Sequence, residues 1–310
     1  MTVARDWAKS AIMEAPVPDT ARRASPCAIF APAAQAIPLV AASPHSGRDY
    51  PDHFVAEARL DRLTLRRSED GFVDELFAAA PRRGAPLLCA LFPRAFVDVN
   101  REPYELDPAM FEDTLPSYVN TRSPRAIAGL GTIPRLVANG HEIYPGKLTF
   151  REAERRIETL YRPYHAALRR LVQDTVARFG HCVLMDCHSM PSVGGPGDRD
   201  RGHRRVDFVL GDAHGTACAP AVIDLAESVL YGHGYVVARN NPYSGGFTTR
   251  HYGRPRKRVH ALQIEGNRAL YLDEERIGRN GNFADLVAQL GDLIAALGAL
   301  DRRSLATGTG

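Results

Sequence analysis

"HCVLMDCHSMPS", residues 181–192, opens on an apolar run and ends abruptly on Asp186, His188 and Ser189. A short apolar run closed by small and polar residues reads as a buried strand. Its polar end puts ionisable groups where a sheet opens into a crevice. "AIPLVAASPHSG" (36–47) repeats the pattern and closes on Pro44, His45 and Gly47. "VDFVLGDAHG" (206–215), "GYVVARNNPYSGG" (234–246) and "VHALQIEGNRALYLDE" (259–274) each read as a strand followed by a turn or loop. "APLLCALFPRAFVDVNRE" (85–102) reads as two short strands broken near Pro93. Helical spacing appears in the second half of 60–80, along 148–179 around Pro163, at 219–233 and at about 283–300. Strands alternating with helices predict an α/β fold of three αβα layers around a central mixed, largely parallel sheet. Functional groups in such sheets gather at the carboxyl ends of strands.

The 310 residues show no internal repeat and no interdomain linker. The expected organisation is a flexible arm at 1–27, one folded domain at 28–303 and a disordered tail at 304–310. A composition of 45% hydrophobic and 24% charged residues supplies a sizeable core without disulfides or a structural metal. With 39 Lys and Arg against 36 Asp and Glu, the net charge of +3 is too balanced for a nucleic-acid binder. The apolar runs are too short for a membrane span. The first 26 residues lack the apolar stretch of a signal peptide. Five cysteines without a CxxC pair suit reduced, buried thiols and a cytoplasmic setting. The expected partner is a small anionic molecule, bound by a monomer or small homo-oligomer.

His45 and His188 each follow an apolar strand and form a metal-ligand arrangement if those strands are neighbours. Asp70 or Glu69 could supply an acidic third ligand. Both could equally cap the helix that follows, as could Ser68. Asp186, two residues before His188, shares its face and could orient a ligand. "DVNRE" puts Asp98, Asn100 and Arg101 at a strand end, where a guanidinium can clamp a carboxylate or form a surface ion pair. Glu265 in "LQIEGNR" is placed to take a proton from water, or else to pair with Arg268. "NNPYSGGFTTRHYGRP" (240–255) reads as a loop rich in ligand-binding residue types: Tyr243, Arg250, His251, Tyr252 and Arg254. The glycine-rich stretch 193–205 reads as a mobile loop.

Taken in order, "SPHSG" (43–47), "SEDGFVDELF" (68–77), "FVDVNREPYELDP" (96–108), "YHAAL" (164–168) and "DCHSMPS" (186–192) resemble the N-formylglutamate amidohydrolase family. So do "LGDAHGTAC" (210–218), "NPYSGGFTTRHYG" (241–253) and "ALQIEGNRALYLDE" (261–274), and the likeness covers most of 28–290. The family looks like a distant relative of the zinc carboxypeptidases and aspartoacylases, whose sheet is mixed and flanked by helices. The resemblance implies His45 and His188 as zinc ligands with an acidic ligand between them in the chain. Those relatives carry a glutamate three residues after the first histidine, where this sequence has Arg48. The acidic role therefore moves to Asp70, with Glu69 as the alternative.

The resemblance further implies Asn100 and Arg101 as carboxylate grips, Glu265 as the catalytic glutamate and Arg250 as a second carboxylate anchor. Tyr243 and Arg254 join them as substrate-binding candidates, with Arg268 in reserve. The implied reaction is hydrolysis of N-formyl-L-glutamate, or a close N-acyl amino acid, to formate and glutamate. The cofactor is one Zn2+, with Mn2+ or Co2+ as substitutes; Arg101 would assist at the oxyanion. Other N-acyl amino acids or short acidic peptides on the same scaffold, a non-catalytic carboxylate binder, and a Cys187 thiol hydrolase are the rivals. Service in histidine breakdown is pathway context that the chain does not carry.

Overall fold

The apolar runs fold into one seven-stranded sheet in the computed structural model, which describes residues 25–137, 140–198 and 200–305. Its strands are β1 (Cys27–Phe30), β2 (Leu39–Ser43), β3 (Leu87–Ala90), β4 (Cys182–Met190), β5 (Phe208–Gly211), β6 (Val237–Arg239) and β7 (Val259–Asn267). They lie in the order β1-β3-β2-β4-β7-β5-β6. Only β1 against β3 and β5 against β7 run antiparallel, so the sheet is mixed and mostly parallel. Two-residue strands β8 (Leu272–Asp273) and β9 (Gly278–Arg279) pair separately. The helices are α1 (Asp52–Glu57), α2 (Arg62–Arg66), α3 (Val73–Leu76), α4 (Pro124–Ile127), α5 (Phe150–Arg156), α6 (Arg162–Phe179), α7 (Pro220–Gly232), α8 (Phe247–Tyr252) and α9 (Phe283–Gly298).

Every residue of β4 is buried, as expected of a central strand covered on both faces. Alternation sends Val183, Met185 and Cys187 into one core, which contains Leu230 of α7 and Leu290, Leu293 and Leu297 of α9. Cys182 and Leu184 enter the other, against Tyr164, Leu168 and Val172 of α6. Each fully buried Leu contributes roughly 1.5–3 kcal/mol. The second parity continues at the carboxyl end of β4 as Asp186 and His188. Parallel register sets Gln263 beside Asp186 and Glu265 beside His188 on β7, while Ala42 of β2 flanks Asp186 on the other side. One sheet face thus turns from apolar to ionisable within a few residues.

Several expectations need correction. Residues 91–102 contain no second strand after β3; the chain turns at Pro93, whose carbonyl accepts the Phe96 N–H, and the Asp98 carboxylate accepts the Asn100 N–H. Such side-chain-to-backbone bonds compete with strand pairing. The stretch 60–80 splits into α2 and α3, and neither Ser68, Glu69 nor Asp70 caps α3, which begins after Phe72 without a side-chain cap. Residues 240–255 are not all loop, since α8 forms with Thr248, Thr249 and Tyr252 buried. The helix at 148–179 carries a π turn at Ile157–Tyr161 just before Pro163, which has no N–H to donate.

The stretch 193–205 is folded on itself. Val193 pairs with Arg204, and Arg205 bonds the carboxylates of Asp198 and Asp200. At the ends, Cys27 belongs to β1 and Leu305 is buried in the core, so both were wrongly assigned to the arm and the tail. Residues 1–24 and 306–310 of those two segments lie outside the described residues. All five cysteines are free and buried. No helix among the described residues is long and apolar enough to cross a membrane.

The two cores make the central strand the most sensitive place for a cavity. Leu184→Ala is expected to lower unfolding free energy by about 2–5 kcal/mol, read from urea melts. A loss under about 1 kcal/mol would show that the side chain is not tightly packed there.

Candidate metal centre

β2 ends at Ser43, and its exit loop carries His45. The loop is drawn tight by the Ser43–Ser46 hydroxyl pair at 2.8 Å. Gly47 then passes so close to the 91–92 backbone that a Cβ there would stand 2.2 Å from the Phe92 carbonyl oxygen. Asp70 arrives on the turn between α2 and α3, where its N–H donates to the His45 carbonyl at 3.0 Å. With His188 at the end of β4, three buried ligand-type atoms from distant parts of the chain lie within 4.8 Å of one another.

The orientation of the rings favours a metal ion. His188 Nδ1 is 3.0 Å and His45 Nδ1 is 3.3 Å from the same oxygen, Asp70 Oδ2. Each ring is held from its far side: His45 Nε2 by Asp98 Oδ1 at 2.7 Å, His188 Nε2 by Asp186 Oδ1 at 2.9 Å. Neutral rings that donate Nε2–H to these carboxylates point their Nδ1 lone pairs at the shared centre. His45 Nδ1 is buried and has no hydrogen-bond partner, the mark of an atom awaiting a ligand. Two imidazole nitrogens and a carboxylate oxygen form a donor set suited to a divalent metal with an open position.

Electrostatics agree with a site built around charge. Burial pushes against ionising Asp70, but the hydrogen bond from His188 and the nearby His45 ring and Arg94 outweigh it and hold the carboxyl well below its usual range. Asp98 is likewise held low, with Arg101, His45 and Arg94 overcoming burial. His188 is held well above its ordinary range because Asp186 and Asp70 outweigh burial. A proton shared in this way occupies the place a cation fills. Glu265 is pushed up to about 7 by burial, with Asp70 and Asp186 adding to the push and His188 and Arg94 opposing it.

The neighbouring groups sort as follows. Glu69 bonds Tyr50 and Arg66 rather than joining the trio, which leaves Asp70 as the acidic member. Gln263 donates to Glu265 Oε1 at 2.7 Å. Arg268 pairs with Asp70 Oδ1 at 3.1 Å instead of with Glu265. Because 96–102 is a turn, Asp98, Asn100 and Arg101 all line one cleft of about 850 Å³ with the trio and Glu265. Burial lowers Arg101 to about 10, so it stays cationic at neutral pH. Tyr243, Arg250 and Arg254 line the same cleft from the α8 side, Tyr243 beneath the Arg205 guanidinium at 5.2 Å.

Arg94, Gln263 and Thr249 were missed as site residues. Arg94 Nη2 donates to Asp98 Oδ2 at 2.8 Å, and Thr249 Oγ1 donates to Asp186 Oδ2 at 3.1 Å. Strand alternation would part Arg101 from Asp98 and Asn100 unless the chain turns there, and the turn is what the structure has, with the Asn100 N–H bonded to Asp98. Nothing in the sequence marks Thr249.

Cys187 lies on the opposite face from His188, inside the apolar core, and burial pushes its thiol well above the ordinary range. Strand alternation already speaks against a thiolate dyad with its neighbour, and the structure has the two side chains on opposite faces.

The family model for N-formylglutamate amidohydrolase matches residues 37–272. N-formylglutamate deformylases of Pseudomonas putida and Pseudomonas aeruginosa PAO1 are similar to this chain. The first is 28% identical over 248 residues, covering 77% of this chain and 83% of the relative. The second is 29% identical over 249 residues, covering 77% and 84%. The crystal structure of N-formylglutamate amidohydrolase from Ralstonia eutropha JMP134 is 40% identical with a TM-score of 0.82, over 90% of this chain and 99% of that one. A gene product of Agrobacterium tumefaciens, at 19% identity and a TM-score of 0.63 over 88% and 94%, shares the fold. The chain belongs to the N-formylglutamate amidohydrolase family and is an amide-hydrolysing enzyme.

Proposed function

We propose that this enzyme hydrolyses the amide of N-formyl-L-glutamate, or a close N-acyl amino acid, with zinc held by His45, Asp70 and His188. One observation carries the reading: both Nδ1 atoms converge on Asp70 Oδ2 while buried carboxylates hold both Nε2 atoms. The named substrate of the Pseudomonas and Ralstonia relatives supplies the acyl group and the amino acid. Zinc in such a site supplies Lewis acidity and lowers the pKa of water from about 15.7 toward about 7.

The chain's own residues account for the remaining work. Glu265 Oε1 is occupied by Gln263, so Oε2 is the atom that takes the proton from the attacking water. The same oxygen returns it to the departing nitrogen. Arg101 and Asn100 orient the substrate carboxylate and Arg101 steadies the developing oxyanion. Arg250, Arg254 and Tyr243 close the cleft from the other side.

Chelator-stripped protein is expected to rebind about one zinc per chain, measured by elemental analysis and competition with a chromogenic chelator. Asp98→Asn and Asp186→Asn should each weaken that binding about 10–100-fold through loss of ring orientation. Unchanged stoichiometry and affinity in Asp70→Ala would remove the acidic ligand from the scheme.

Glu265→Gln is expected to cut kcat about 10²–10⁴-fold while zinc affinity stays close to wild type. The base is the unprotonated form, so wild-type kcat/KM falls as pH drops through the Glu265 pKa. That limb lies below about 7, since a cation held beside a carboxylate stabilises its charged form. An acidic limb above this value, or one that persists unchanged in residual Glu265→Gln activity, assigns the base to another group.

A further inference from the structure

Arg101 is held from three sides on one wall of the cleft. Its Nε donates to the Leu130 carbonyl at 2.8 Å, its Nη1 to the Asn100 carbonyl at 2.9 Å, and its Nη2 stands 3.6 Å from Asp98 Oδ2. The segment that supplies Leu130 also carries Arg125. Ser123 accepts the Ala126 N–H at 2.9 Å and donates to Glu105 Oε1 at 2.5 Å, which fixes the start of α4. The Leu130 N–H returns to the Arg125 carbonyl at 2.8 Å. One short piece of chain therefore positions both guanidinium groups on the same cleft.

Arg125 differs from the other cleft cations. Its exposed side chain has no hydrogen-bond or ion-pair partner among the described residues. Arg94 and Arg268 are tied to Asp98 and Asp70. Arg250 spends a nitrogen on the Gly245 carbonyl at 2.7 Å, and Arg254 spends one on the His251 carbonyl at 3.0 Å. The charge of Arg125 also reaches its neighbour: after burial, it helps lower Arg101, while Asp98 resists. Arg101 leans on Asp98, which Arg94 also shares, and Glu105 in the same cleft is engaged by Ser123, so Arg125 keeps a cationic head without a carboxylate of its own, which an anionic ligand can meet.

Substrate covalent geometry then divides the work. In an N-acyl amino acid the α-carboxylate is one carbon from the amide nitrogen, so it stays beside the reacting centre. Arg101 neighbours Asp98, which backs His45, and serves that position. A glutamate side chain extends its second carboxylate two methylenes further along the wall. We propose that Arg125 is the specificity-determining residue that receives the side-chain carboxylate, in the role the sequence assigned to Arg250. The enzyme then selects N-acyl derivatives of acidic amino acids. This assignment rests on the N-acyl amino acid reading above.

The test compares N-formyl-L-glutamate with N-formyl-L-glutamine, which keeps the shape and loses the charge. Arg125→Gln should raise KM for N-formyl-L-glutamate about 10–100-fold, the loss expected for a charged hydrogen bond, with little change in kcat. The glutamate-to-glutamine ratio of kcat/KM should collapse, and Arg125→Lys should restore part of it. Arg250→Gln should retain the ratio. A ratio that survives Arg125→Gln, or collapses in Arg250→Gln instead, overturns the proposal.

Thermal shift with glutarate, using butyrate as the monocarboxylate control, separates the two readings without catalysis. Glutarate should stabilise wild type more than Arg125→Gln, and butyrate should not distinguish them. If no N-acyl amino acid is hydrolysed but this difference remains, the activity reading fails and the dicarboxylate site stands. If glutarate stabilises both proteins equally or neither, the site itself is overturned.

Discussion

Both imidazoles that meet at Asp70 are fixed at the nitrogen that faces away from it. Asp98 holds His45 at 2.7 Å and Asp186 holds His188 at 2.9 Å, which sets each ring's tautomer and direction together. Three carboxylates in so small a buried volume would repel one another and suffer from lost hydration. Arg94 shares Asp98, Arg268 pairs with Asp70, and the two rings sit between the acids. The surrounding structure supplies these partners: a turn at 91–102 instead of a strand, and a short helix against the end of β4. Free energy that a purely apolar core would keep is given up here for a defined geometry.

Sheet register sets the rest. Because side chains alternate, the parity that buries Leu184 against α6 also aims His188 into the cleft and sets Asp186 behind its ring. The parallel ladder with β7 brings Glu265 level with His188. The opposite parity consigns Cys187 to the far core, where a thiolate has no stabilisation. A slip of one residue between β4 and β7 would exchange the two sets.

The sequence made the sheet legible because long apolar strands with abrupt polar ends have few other solutions. His45, His188 and Glu265 were legible for the same reason: each stands at or just past a strand end. Choosing Asp70 over Glu69 needed the turn between α2 and α3, since side-by-side acids differ only in where the backbone aims them. The turn at 91–102 was hidden because "FVDVN" has the alternation of a strand. Pro93 and the bond from Asn100 N–H to Asp98 decide otherwise. Arg94 and Thr249 were hidden for a different reason, since each acts through a carboxylate that is distant in sequence.

The segment leading into α8 touches the centre at three points. Gly246 N–H bonds Gln263, Thr248 N–H bonds Asn100, and Thr249 Oγ1 bonds Asp186. Gly246 is so close to Asn100 that a Cβ would stand 2.2 Å from its amide nitrogen. The same few residues also carry Arg250 and lead on to Arg254 at the cleft mouth. This stretch is therefore not a detachable cassette: exchanging it between homologues to change substrate preference would disturb the props behind His188 and Glu265. Acceptance of a new substrate and the convergence of His45, Asp70 and His188 are inherited together.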